Sequence, residues 1–259
     1  MSIIHSYDPV RTAAINPEDI HHLRERKLEV CIVNFSYKIM DALLENGLLE
    51  LVEEEAIHYV SVHINVYAFK GTNIGVVQTQ VGAPFTAGII EDMATKFSSK
   101  KFVIFGSCGG LDKEVTAGRL IVPTHAYRDE GLSYHYLPES DYIELPGHSA
   151  VSQVFDKFNI PYVKGRTWTT DAFFRETRRN MARRKAEGCI AVEMEVSACQ
   201  AVCQFRGYEF YAFLYSADNL DHSTWDEGIL SSISLDERLQ HFFIALEIAK
   251  HIAKEHEHE

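Results

Sequence analysis

Phe102-Val-Ile-Phe-Gly-Ser-Cys-Gly-Gly-Leu111 decides how this chain is read. Its apolar opening predicts a strand buried on both faces. Gly106, Gly109 and Gly110 interrupt the run, and we read them as a tight turn whose bare amides can approach an oxygen-rich group. Ser107 adds a hydroxyl donor to that turn. The spacing is neither G-x-G-x-x-G nor a Lys-containing P-loop, and glycines after a strand also serve a plain reversal of the chain. The reading therefore depends on more distant segments.

Ile190-Ala-Val-Glu-Met-Glu195 is a second apolar strand, ending in two carboxylates around Met194. Met194, Ala198, Ala201, Val202 and Phe205 then follow helical spacing, which puts Glu193 and Glu195 at a strand-to-helix junction. Acids there favour the positive end of a helix dipole. A carboxylate beyond a strand's carboxyl end can also accept from both hydroxyls of a sugar diol. A third strand, Tyr208 to Tyr215, gives way to Ser216-Ala-Asp-Asn-Leu-Asp221, where Asp218 or Asn219 either builds an Asx turn or presents an acid. Thr169-Thr-Asp-Ala-Phe-Phe174 offers aromatics for one wall of a flat pocket, with one of Phe173 and Phe174 expected in the core.

In this order the segments resemble the nucleoside phosphorylase superfamily, whose members include purine nucleoside and uridine phosphorylases and related nucleosidases. Thr79-Gln-Val-Gly-Ala-Pro84 is similar to the family's entry into an early helix, and Tyr127 to Pro138 to a uridine phosphorylase segment. The resemblance implies phosphate binding at Gly106, Ser107 and Gly109, with Lys38 as one positive charge in place of the family's arginines, and ribose binding at Glu193, Met194 and Glu195. It implies base contacts from Phe173 and Asp218, with Asp218 and Glu195 as catalytic groups. Phosphorolytic members hold phosphate with arginines that this chain lacks: none stands between Arg26 and Arg119, and Ile104 occupies one expected position. Lys38 is a point charge and does not reproduce a guanidinium fork.

Three functions stay open on this evidence. The first is a phosphorylase releasing a free base and ribose 1-phosphate, with purine favoured over uridine. The second is a nucleosidase using water, and the third a nucleoside-binding protein without turnover. Phosphate would be a co-substrate, and no metal or organic cofactor is implied. The resemblance also implies a homo-oligomer, a dimer or a hexamer as a trimer of dimers, with His5 the nearest match to a histidine lent by a neighbour.

The expected fold is one α/β domain over residues 1–259, with an arm to about residue 28 and a core from 29 to 255. Strands alternating with helices predict a three-layer arrangement about a mixed, mostly parallel sheet; the resemblance adds distortion toward a barrel. Acids outnumber Lys and Arg by 37 to 25, which disfavours nucleic acid or an anionic membrane as partner. No apolar stretch reaches a membrane span and no secretory leader is evident, so a cytoplasmic protein is expected. The five cysteines suggest no disulfide framework. Cys108 reads as a small residue in a tight site, and Cys199 and Cys203 as buried rather than metal-ligating. Arg178, Arg179, Arg183 and Arg184 read as a basic face bridging to Glu187 or to another subunit. His135 points to a pocket or an interface, and His256 and His258 to a solvated tail. A closing helix is expected to carry Leu235, Leu239, Phe242, Phe243 and Leu246 on one stripe.

Overall fold

The apolar run at 102–105 lies at the centre of a ten-stranded sheet in the computed structural model, which describes residues 2–221, 225–230 and 232–254, the last without its side chain. His256 and His258 fall outside these residues. Strand β5 (Lys101–Gly110) pairs in parallel with β1 (Val30–Asn34) and with β10 (Glu209–Asn219). Strand β10 pairs with β6 (Leu120–Asp129), β6 with β8 (Tyr162–Thr170), β8 with β9 (Cys189–Glu193), and β9 returns to β5, so five strands close a ring. Outside the ring β1 continues to β4 (Ile74–Gln78), β3 (Val62–Phe69) and β2 (Leu49–Tyr59), while β7 (Tyr142–Glu144) borders β6.

Alternation along the central strands sorts side chains onto two faces, which produces the three layers. Cys31, Val33, Phe102, Ile104, Ala212 and Leu214 join one core with α3 (Ala83–Phe97) and α8 (Val196–Arg206). Val30, Ile32, Val103, Phe105, Tyr211 and Phe213 join the other, under α2 (Tyr37–Glu45), α6 (His148–Lys157) and α9 (Leu235–Lys254). Each central strand is therefore apolar on both faces, the signature of a sheet sandwiched by helices. The protein is a single α/β domain whose mixed sheet closes into a barrel flanked by helices, as expected.

Four local expectations are corrected. Residues 106–110 are not a turn: they continue β5, Gly109 and Gly110 facing Val192 and Ala191 of β9 on one edge and Asp218 and Asn219 on the other. A Cβ on Gly109 would come within 2.9 Å of Leu220 and Val192, and one on Gly110 within 2.5 Å of the Ser216 hydroxyl. The close approach of β9 and β10 therefore favours glycine at these two positions, whatever the ligand. Strand β10 likewise runs on through Asp218 rather than ending at Tyr215. Strand β2 was not anticipated, because Glu53-Glu-Glu55 interrupts its apolar alternation and two register shifts break its ladder with β3. On α9 the buried stripe is Phe242, Ala245, Leu246, Ile248, Ala249 and Ile252, while Leu235 and Phe243 are exposed.

Candidate active site

One edge of β5 explains where the site lies. Its first four residues pair with β1 and its last two bend across to β9, so 105–108 have no strand partner on that edge among the described residues. A cavity of about 1060 Å³ opens there. Unpaired backbone amides at a break in a ladder need other partners, which makes such a gap a natural place for polar ligand atoms. The same bend brings the carboxyl ends of β5, β9 and β10 together. Gly106, Ser107, Gly109, Glu193, Met194, Glu195, Asp218, Phe173 and Lys38 all line this one cavity.

The two acids of the β9–α8 junction divide their work. Glu193 is buried and saturated: one oxygen accepts from the Glu195 and Val196 amides at 2.7 Å each, the other from Thr169 Oγ1 at 2.6 Å and Thr167 Oγ1 at 3.3 Å. It caps α8 as the helix-dipole argument predicts. Burial pushes its carboxyl above the usual range, and these donors pull it back. Glu195 makes no such cap. Its Oε1 accepts from the Gly82 amide at 2.6 Å. Burial, followed by the neighbouring Glu193 charge, pushes Glu195 up to about 8, with the Gly82 N–H acting the other way.

Gly82 is a site residue missed in the sequence. It precedes α3 with φ at 112°, a region that side-chain-bearing residues rarely adopt, and this conformation aims its amide at Glu195. The Gly-Ala-Pro entry to the helix was legible, but its contact with a residue 113 positions away was not.

At the β10 end, the Asx turn forms on Asn219, whose Oδ1 accepts from the Asp221 amide at 2.8 Å. Asp218 is thereby left for the cavity, with Trp225 Nε1 donating to its Oδ2 at 2.8 Å. Burial raises the Asp218 carboxyl, and the Trp225 bond opposes it. Glu176, also missed, lines the same cavity; burial and then the Asp218 charge push it up to about 7. Its position three residues after Phe173 was the available signal. Neither Phe173 nor Phe174 is core: they are 50% and 88% exposed, with ring centroids 4.1 Å apart, on a short 3-10 turn at the cavity wall. That turn follows the end of β8 and buries none of its own residues.

Of the other candidates, Cys108 and Arg178 line the cavity and the rest lie away from it. The Cys108 thiol is buried and pushed well up by burial, with Glu193 and Asp218 adding to it, which suits a space-filling residue and not a nucleophile. Cys199 and Cys203 are buried in the α3–α8 core. Among the described residues the group with metal-ligand spacing is Glu55, His58 and His63, all exposed and outside the cavity lining. His5 sits 2.8 Å from Glu139, and His135 is exposed; neither lines the cavity. The basic face on α7 (Arg178–Ala186) divides: Arg183 and Arg184 bridge to Glu187 at 3.4 and 2.9 Å, Arg184 lies over the Tyr127 ring, and Arg178 reaches the cavity.

A closed ring with carboxylates at its strand ends, beside a bare strand edge, frames a cavity suited to a small molecule. The family model of the phosphorylase superfamily matches residues 30–244, and the chain belongs to that family. A purine nucleoside phosphorylase of the DeoD type from Aliivibrio fischeri is 26% identical over 165 residues, 61% of this chain and 69% of that one. Among solved structures, the purine nucleoside phosphorylase of Toxoplasma gondii, in complex with immucillin-H, superposes with a TM-score of 0.67 at 19% identity, covering 87% and 90% of the two chains. The AMP nucleosidase of Bacteroides thetaiotaomicron gives 0.66 at 18% identity over 89% and 90%. At these identities the structural likeness is one of fold. The protein is thus a member of the phosphorylase superfamily, and no helix among the described residues is long and apolar enough to cross a membrane.

Proposed function

We propose that the protein cleaves the N-glycosidic bond of a purine nucleoside with phosphate, giving free base and ribose 1-phosphate. The observation that carries this is the lining of one cavity by Ser107, Glu195 and Asp218, from three strand ends far apart in sequence. A phosphate oxygen attacks C1′ of the sugar, the C1′–N bond breaks, and the base leaves with the electron pair. Asp218, raised by burial, delivers a proton to the purine N7 and so improves the leaving group. Glu195 accepts from the ribose hydroxyls, and its ionised form is favoured as positive charge develops on the sugar. Met194 packs under the ribose, Glu193 fixes the turn that aims Glu195, and Phe173 stacks on the base. Gly106, Ser107, Gly109 and Lys38 receive the phosphate. In this reading the enzyme needs no metal or organic cofactor and works as a homo-oligomer in the cytoplasm, with neither nucleic acid nor membrane as partner.

Hydrolysis of the same bond is the second reading. Ile104 at a position where phosphorolytic relatives carry arginine favours it. The assay is a nucleoside panel incubated with and without phosphate, free base being measured. Release only with phosphate supports phosphorolysis, release in both supports a nucleosidase, and binding without release leaves a nucleoside-binding protein.

A further inference from the structure

We propose that the far end of the β2–β3 hairpin is a binding site for a divalent transition-metal ion such as zinc, held by Glu55, His58 and His63. The site lies outside the cavity lining, so it stands or falls independently of the proposed function.

Ligand atoms from two strands converge there. His58 and His63 are direct partners across the antiparallel pair, and their rings meet edge-on with centroids 4.8 Å apart. His63 Nδ1 lies 3.5 Å from Glu55 Oε2, and one ligand atom from each of the residues falls within 4.8 Å of the others. Atoms bound to zinc at about 2.0–2.1 Å stand roughly 3.4 Å apart at tetrahedral angles, so the pair formed by His63 and Glu55 already has that spacing. The remaining closure is a side-chain rotation that these exposed residues have room to make. Two imidazoles and a carboxylate suit zinc, nickel or copper(II) rather than calcium or magnesium, which prefer oxygen ligands throughout.

The backbone is distorted in the way that brings the carboxylate in. In a regular strand, residues three apart point to opposite faces, which would send Glu55 away from His58. Here Glu53 pairs with Val66 and Ile57 with Ile64, so Glu54, Glu55 and Ala56 stand against Asn65 alone. Ala56 and Ile57 are consecutive and both buried, which leaves Glu55 and His58 together on the outer face. Glu55 takes a φ of 45°, a conformation that residues other than glycine rarely adopt. Asn65 holds it there, its Oδ1 accepting from the Glu55 amide at 2.7 Å while its Nδ2 donates to Tyr67 Oη at 3.1 Å. Reversing the chain does not require this strain, because Val60 and Ser61 make the turn. Glu53 is committed elsewhere, with Arg24 Nε and Nη2 donating to its two oxygens at 2.7 and 2.8 Å. A bound ion ties β2 to β3 where their ladder is broken, and three protein ligands leave a coordination position for water.

Titration calorimetry of the metal-stripped full chain with zinc chloride tests the site, with magnesium chloride as the control. His256 and His258 are zinc ligands by type, so a His256→Gln/His258→Gln double variant is the background for every measurement. On that background zinc binds, magnesium does not compete, and His58→Gln, His63→Gln and Glu55→Gln each weaken zinc binding roughly tenfold or more. Asn65→Ala keeps every ligand but releases the bulge, and it too weakens binding by roughly 10–100-fold, as loss of an outer-shell partner does. Zinc slows amide hydrogen exchange across 57–64. All three ligand residues are exposed, so the variants keep the fold, which an unchanged Tm in the absence of zinc verifies. The inference is overturned by a background protein that binds no zinc, by unchanged affinity in any of the three ligand variants, or by zinc protection that appears away from the hairpin.

Discussion

The carboxylate wall of the cavity and its cationic wall were built by different means. Glu193, Glu195 and Asp218 stand at the ends of strands, in short motifs whose neighbours in sequence are also neighbours in space. Asn34, Lys38 and Arg238 stand on a strand end and two helices, brought together by packing α2 and α9 on the same core. The acids on the first wall are held by prearranged donors: Glu193 by four, Glu195 by Gly82, Asp218 by Trp225. The second wall has donors left over: Asn34 Nδ2 and Arg238 Nε are buried with no hydrogen-bond partner among the described residues. A wall that satisfies itself is poised for chemistry, and a wall with spare donors is poised for a ligand.

Removing the proton donor is expected to show the largest effect. Asp218→Asn should lower kcat for a purine nucleoside by about 10²–10⁴-fold and abolish the basic limb of the pH–rate profile, as loss of a general acid does. A nucleoside with an activated leaving group should suffer much less; an equal loss on both would assign Asp218 to the wrong task. On the cationic wall, Arg238→Gln should raise the KM for phosphate by roughly 10–100-fold through loss of charge-assisted bonds worth about 1.5–3 kcal/mol each. An unchanged KM would erase the contrast between the walls.

Stability tests the acid wall without any substrate. The folded-state carboxyl of Glu195 lies near 8 against 4.5 for an ordinary glutamate, so between these values the native state keeps a proton that the unfolded chain has released. Stability is thus lost as pH rises from about 4.5 to 8. Glu195→Gln removes that loss and keeps the acceptor for Gly82. The Tm of the variant relative to wild type should climb across this window, each kcal/mol being worth roughly 2–4 °C in a domain of this size. A difference that is flat with pH would mean that Glu195 ionises normally. Smaller still, Phe173→Ala should raise the KM for the nucleoside by about 2–10-fold, the worth of one aromatic contact. Cys108→Ala should leave activity within about threefold; a collapse of kcat would restore the buried thiol as a reacting group.

How much of this was legible depends on how local the cause is. The strand at 102–105, the junction at Glu193 and Glu195 and the entry to α3 were readable because periodicity and caps act over a few residues. The glycines at 106–110 were read as a turn because sequence shows where side chains are absent and not what occupies the space. That space belongs to Val192 of β9, Ser216 of β10 and Leu220 just past β10. Glu176 and Trp225 sit in segments with no periodicity to mark them, and Arg238 looks like any polar residue on an amphipathic helix.

The sequence by itself determined that this is a sheet sandwiched by helices, with acids at its strand ends, because alternation and helical spacing are properties of neighbouring residues. Only the tertiary structure decided that β5 forks between β1 and β9, that Gly82 holds Glu195, and that α9 turns Arg238 toward the break. Those outcomes rest on contacts between segments far apart in the chain, 113 positions for Gly82 and Glu195, fixed when the ring closes and two separate cores pack against it.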